Sequence, residues 1–136
     1  MKLTENFTLE EFIKSETARI RNIRNNPGEG EIQNLKRLCE EILQPVRNRY
    51  GSAIIITSGF RSKELNREIA GSTTSQHLKG EAADIISQDN KRLWEIILEM
   101  IYNNEIKVGQ LIDEKKLSWI HISLPTFRHR NQVLHL

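Results

Sequence analysis

Ser75-Gln76-His77-Leu78-Lys79-Gly80-Glu81-Ala82-Ala83-Asp84 combines residue types that ordinary packing does not require. A histidine sits in a polar segment, a glycine permits a tight turn, and an aspartate interrupts the apolar run A-A-D-I-I. A carboxylate buried there without a partner is expensive, so a cation or a set of hydrogen bonds must face Asp84. A second oddity is Ser118-Trp119-Ile120-His121-Ile122-Ser123. Strand alternation puts Ile120, Ile122 and Leu124 on a core face and Trp119, His121 and Ser123 on the other, where a polar ring beside an indole suits the wall of a cleft. His77, Asp84 and His121 together offer two imidazoles and one carboxylate. That set would hold zinc at a net charge of about +1 and leave a fourth position for water, which is the catalytic rather than the closed structural arrangement. Spacing alone leaves another reading open, a core histidine and an aspartate satisfied by hydrogen bonds.

These residues need a scaffold, and the apolar periodicity outlines one. Thr8-Leu9-Glu10-Glu11 is a capping box that starts a short helix through Lys14. Residues 17–30 end in N-N-P-G-E-G and read as a loop, with Arg19, Arg21 and Arg24 solvated. From Glu31 to Tyr50, apolar residues at helical spacing (Ile32, Leu35, Leu38, Cys39, Ile42, Leu43, Val46) predict the main core helix, which Pro45 should kink or break. Ala53–Thr57 is a β-branched run expected to be a central strand, and Ser62–Ala70 a short helix capped by Ser62. Ala82–Ile86 is a second strand, and Asp89–Tyr102 a helix burying Leu93, Trp94, Ile97, Met100 and Ile101. Strands Val108–Asp113 and Ser118–Leu124 are close enough for a hairpin through Lys115-Lys116. Arg128 to Arg130 read as a solvated basic tail containing His129, and His135 as part of a mobile terminus. The sum is an α+β fold in which helices pack on a small, mostly antiparallel sheet.

At 136 residues the chain has the size of one domain, expected to span 1–136. Hydrophobic residues at 38% and charged residues at 28% exclude disordered and membrane-spanning classes, and a net charge of +2 does not call for a nucleic-acid partner. A single cysteine, Cys39, excludes both an intramolecular disulfide and a zinc site built on two or more thiolates. It lies on the apolar stripe of the long helix and reads as a buried, inert thiol. Metal binding therefore rests on the four histidines and the carboxylates.

S-G-F-R-S at 58–62, S-x-H-x-x-G-x-A-x-D at 75–84 and W-I-H-I-S at 119–123 follow one another as in the zinc D-alanyl-D-alanine carboxypeptidase family. The chain resembles that family from Phe7 to the C-terminal N-Q-V-L. The family shares its core with hedgehog signalling domains and includes phage endolysins that cut peptidoglycan stem peptides. The resemblance implies a hedgehog-like fold, Zn2+ held by His77, Asp84 and His121, and Ser75 lining the site. It implies that Arg61 orients or polarises the scissile carbonyl or the substrate carboxylate, a task suited to a planar, always charged guanidinium. The implied activity is hydrolysis of a bond in the stem peptide of bacterial peptidoglycan, as a carboxypeptidase or as an endolysin-type endopeptidase. A monomer without membrane insertion is expected. M-K-L-T-E-N-F-T offers no signal-peptide pattern, so synthesis in the cytoplasm is expected, with action on the cell wall after lysis or through another exporter.

Many relatives place an acidic residue three positions before the last histidine, where this chain has Ser118. Strand parity chooses between the nearest carboxylates. A two-residue turn at Lys115-Lys116 pairs Gln110 with His121 and puts Glu114 on the His121 face. A three-residue turn including Leu117 pairs Leu111 with His121 and puts Asp113 there instead. The stretch Q-L-I-D-E resembles a Q-L-I-x-E segment of close relatives, which favours Glu114 as general base. The missing acid at 118 gives weight to an alternative from another class, a non-catalytic zinc-containing binding module of the same fold.

Overall fold

Half of the predicted Thr8 capping box forms: the Thr8 N–H donates to Glu11 Oε1 at 3.1 Å, while the Thr8 hydroxyl donates to the same oxygen at 3.2 Å instead of accepting a backbone N–H. In the computed structural model, which describes residues 1–136, a short pair of strands, β1 (Lys2–Thr4) and β2 (Phe7–Thr8), precedes this cap and the helix α1 (Leu9–Ile13). The next segment departs from the expected loop, because α2 (Glu16–Arg21) opens it. Ser15 Oγ accepts the Ala18 N–H at 3.2 Å, and Asn22 closes the helix at φ 54°. The Pro and Gly residues downstream masked this one-and-a-half-turn helix, whose cap lies upstream of them. Arg19 pairs with Glu16, and Arg21 with Glu68 at 3.4 Å. Both pairs are solvent-exposed, where water and salt screen them, and they add little to stability.

The long amphipathic segment becomes α3 (Glu29–Leu38), a π turn (Cys39–Leu43) and α4 (Gln44–Tyr50). Pro45 does not break it. Gln44 donates its N–H to Cys39 O five residues back, so the widened turn absorbs the donor that Pro45 lacks and the axis continues. Gly51, at φ 81°, ends the helix. Burial pushes the Cys39 thiol up to about 12, reinforced by Glu11 and Glu40, in keeping with an inert core residue.

Strands β3 (Ile55–Ser58), β4 (Ala82–Ile86), β5 (Gln110–Glu114), β6 (Trp119–Ser123) and β7 (Gln132–His135) form one sheet in the order β3-β4-β6-β5-β7. The strand read as central is therefore an edge, and Ile55 is 55% exposed. A β-branched run reports a preference for extended backbone, not the number of neighbouring strands. All pairs are antiparallel except β5 with β7. The C-terminal residues expected to be mobile supply that parallel strand, with His135 Nδ1 3.3 Å from Asp113 Oδ2 and its ring 5.5 Å from Trp94. Short, half-exposed and unalternating, Q-V-L-H carries too little pattern to announce a strand.

Helix α5 (Lys63–Glu68) is capped by Ser62, and α6 (Asn90–Tyr102), capped by Asp89, buries Leu93, Trp94, Ile97 and Met100 as expected, while Ile101 is only partly covered. These side chains share one core with Leu35, Ile42 and Val46 of the long helix and with Ala83, Ile85, Leu111, Ile120 and Ile122 of the sheet. The long helix and α6 thus occupy one sheet face, and the polar side chains of β4, β5 and β6 are left for the other. No helix is long and apolar enough to cross a membrane.

Candidate metal centre and its cleft

Asp84 on β4 and His121 on β6 are direct cross-strand partners, so the ladder itself brings them together on the face away from the core. Oδ1 of Asp84 lies 2.9 Å from His121 Nδ1. On its other side, β3 carries an irregularity between Ile56 and Ser58, and the displaced Thr57 donates its hydroxyl to Asp84 O at 3.2 Å. His77 arrives from a short 3-10 turn (Gln76–Lys79). Ser75 Oγ caps that turn by accepting the His77 N–H at 3.2 Å, and Gly80 closes it at φ 73°. A Cβ at Gly80 would lie 2.5 Å from Glu31 O, so only glycine lets the turn pack this tightly on α3.

The His77 ring is 2% exposed. Its Nδ1 is 2.7 Å from Gly59 O, an acceptor only, so Nδ1 carries the proton and Nε2 presents a lone pair. That lone pair is buried, has no hydrogen-bond partner, and faces Asp84 Oδ1 at 3.3 Å. Two acceptors facing each other in a buried site repel unless a cation lies between them. The candidate ligand atoms of His77, Asp84 and His121 lie within 4.8 Å of one another, and the His77 and His121 rings meet edge to face at 5.2 Å. Tetrahedral zinc with bonds of about 2.0–2.1 Å sets its ligand atoms about 3.3 Å apart, so this donor set fits such an ion. Burial by itself raises the Asp84 carboxyl. The hydrogen bond from the His121 ring is the largest effect in the opposite direction, and the group lies well below the usual carboxylate range.

Arg61 stands beside this group. Its backbone N–H donates to His77 O at 3.1 Å, and its Nη1 donates to Asn66 Oδ1 at 3.1 Å. Burial pulls the guanidinium below its ordinary range while the Asp84 charge opposes the pull. Arg61, Ser75, His77, Asp84, Glu114 and His121 all line one cleft of about 1160 Å3.

Residues 5–123 match the sequence model of the family described as Peptidase M15. The chain belongs to that family. Membership makes this M15 chain a hydrolase of the metallopeptidase class, with His77, Asp84 and His121 as a possible metal site. No curated protein matches the sequence.

The M15 cleft also shows how the two carboxylates of the β5–β6 hairpin divide. Glu114 pairs with Trp119 and Ile112 with His121, so the connection is Lys115–Ser118 rather than either of the shorter turns considered from the sequence. Three successive residues, Lys115, Lys116 and Leu117, take φ of 47°, 55° and 61° in it, a backbone path that no sequence rule anticipates for non-glycine residues. Its even length preserves the parity of the two-residue turn, and Glu114 stands on the His121 face in the cleft. Asp113 is on the opposite face. One of its oxygens accepts the Leu117 N–H at 2.5 Å and the other faces His135. Ser118, three positions before His121, donates its hydroxyl to Lys115 O at 2.6 Å and belongs to the turn.

Sequence reasoning missed the buried amides that hold the site. Asn25 donates to Ile13 O and Phe60 O at 2.9 and 3.0 Å and accepts the Ser62 N–H at 2.7 Å, pinning both flanks of Arg61 from the N-terminal loop. Asn66 holds Arg61 itself. An asparagine inside a helix is a poor helix former, the one signal that its side chain has other work. Glu81, Gln110 and His129 also line the cleft without having been singled out for it.

Proposed function

We propose that this chain is a zinc-dependent peptidase that hydrolyses a peptide bond in the stem peptide of bacterial peptidoglycan. The observation that carries the reading is the buried, unpartnered Nε2 of His77, aimed at a carboxylate oxygen on the wall of an open cleft. Family membership and the donor set support zinc as the ion held by His77, Asp84 and His121. Bound there, zinc would supply Lewis acidity, polarising the scissile carbonyl and lowering the pKa of a water to about 7. The Glu114 carboxylate takes the proton from the attacking water and returns it to the leaving amine. Arg61 holds the negative charge that develops on the carbonyl oxygen, or the substrate's own carboxylate. Ser75 contributes by holding His77 in its turn. A cleft of about 1160 Å3 exceeds the roughly 300–1,000 Å3 of small-molecule pockets and suits a segment of a polymer.

Mass analysis of products from purified peptidoglycan incubated with the zinc-loaded protein tests this reading and identifies the bond. Loss of a terminal D-alanine marks a carboxypeptidase, and release of cross-linked or internal fragments an endopeptidase. An unchanged rate in a chelated sample refutes the zinc mechanism. Stoichiometric zinc with no product from any stem peptide refutes the enzyme and leaves the binding module.

A further inference from the structure

We propose that Asn66 is a positioning residue that holds the Arg61 guanidinium in the cleft without neutralising it. The proposal rests on the reading of Arg61 given above. Asn66 lies on α5 (Lys63–Glu68), the short helix capped by Ser62, and is 3% exposed. Both ends of its amide are engaged: Oδ1 accepts from Arg61 Nη1 at 3.1 Å, and Nδ2 donates to Ser72 O at 2.9 Å. One buried side chain therefore ties the guanidinium to the loop that runs on through Ser75 to His77.

Gly71 makes the arrangement possible. Its N–H donates to Asn66 O at 2.8 Å, and a Cβ on it would fall 2.1 Å from Asn66 Oδ1 and 2.8 Å from Arg61 Nη1. The loop is thus pressed against the amide and the guanidinium together, and any side chain larger than hydrogen would separate them. The choice of an amide also has electrostatic content. Arg61 sits partly desolvated, with its Nε buried and unpartnered, so its charge is strongly felt in the cleft. A carboxylate at position 66 would fix the same nitrogen and cancel that charge. The neutral Asn66 oxygen fixes the orientation and leaves the remaining donors and the full charge to an anionic group of the substrate.

The test is a double-mutant cycle on zinc-loaded protein with stem peptide, combining Asn66→Ala with Arg61→Ala, alongside an activity-independent readout of Arg61 by NMR. Asn66→Ala is expected to lower kcat/KM about tenfold or more while zinc content stays stoichiometric. In the Arg61→Ala background the same change should cost less than about twofold, because the group it positions is already gone. The Arg61 Nε–H signal, slowly exchanging in the parent, should exchange at least about tenfold faster in Asn66→Ala, since a guanidinium freed from its partner samples solvent. Equal losses in both backgrounds, or an unchanged Nε–H exchange rate, would overturn the proposal. Gly71→Ala, which keeps the amide but displaces it, should reproduce both effects and serves if Asn66→Ala does not fold. A parent inactive on every stem peptide refutes the proposed function, and the exchange measurement then decides the positioning role alone.

Discussion

Replacing Gly80 by alanine probes how the fold holds the candidate metal site, and Gly51 supplies the control. Both glycines are left-handed, at φ 73° and 81°. Alanine in that region costs about 1–2 kcal/mol, and stiffening the unfolded chain returns about 0.4–1, so strain alone destabilises by about 1 kcal/mol. At Gly51 nothing lies within 4 Å of the new methyl group, and strain is the whole effect. At Gly80 the methyl would lie 2.5 Å from Glu31 O and 3.2 Å from Leu35 Cγ. The nearer atom is backbone in α3 and cannot rotate away, so relieving the contact adds about 2 kcal/mol. Unfolding entropy near 2.1 cal/mol/K per residue over the 136 residues makes 1 kcal/mol worth about 3–4 °C. Gly51→Ala should therefore lower Tm by about 3 °C and Gly80→Ala by about 10 °C, measured by circular dichroism on metal-free protein. The lost turn packing must move His77 relative to Asp84, because Gly80 joins the turn carrying one to the strand carrying the other. Zinc affinity, from competition with a chromophoric chelator, should fall about tenfold in Gly80→Ala, the size of effect seen when supporting groups of a metal site are disturbed, and stay unchanged in Gly51→Ala. Equal Tm losses in the two variants, or undiminished zinc affinity in Gly80→Ala, would falsify the claim that contact with α3 sets the His77 turn.

Glu114→Gln should lower turnover by about 10²–10⁴ with zinc retained, whereas Asp113→Asn should keep turnover within a few-fold and lose about 1 kcal/mol of stability through the weakened Leu117 and His135 contacts; steady-state kinetics with metal analysis and urea melts separate the two. Zinc at 100 times its Kd should raise stability by about 2.7 kcal/mol over the chelated protein, and His77→Ala should abolish that increment in a thermal melt. Cys39, its thiol pushed up to about 12 by burial, should resist Ellman's reagent at pH 8 until the protein unfolds. The folded state keeps this proton while the unfolded thiol releases it, so above pH 9 the group should remove about 1.4 kcal/mol of stability per pH unit; a urea-melt series in which Cys39→Ala shows the same slope would refute the assignment.

Much of the candidate site's geometry was legible because its signals are local or periodic. Asp84 betrayed itself as a charge in an apolar strand, and His121 as a ring on the face opposite Ile120 and Ile122. Alternation also carried Glu114 to the correct face, although the turn is Lys115–Ser118 and the register is Ile112 opposite His121. Parity survives an error of two residues in a turn, which is why the face was right where the partner was wrong. Helices α1, α5 and α6 were legible from their caps and stripes, since those interactions lie within a few residues of each other.

What tertiary structure alone decided depends on contacts between distant segments. Ile55 reads as a central-strand residue and lies on an edge, because nothing in a β-branched run states what pairs on its second side. His135 reads as a loose end and is held by Asp113 and Trp94, both more than twenty residues away. The deepest gap is the support of the site: Asn25 and Asn66 look like ordinary polar residues until the chain closes and burial removes water, after which Asn25 ties the backbone on both sides of Arg61 and Asn66 ties its guanidinium. The sequence by itself determined which chemical groups are present and which face of a strand or helix each one takes, since those follow from bond geometry and local periodicity. Folding decided their distances, their protons and their neighbours, because desolvation and long-range pairing exist only once the whole chain is in place.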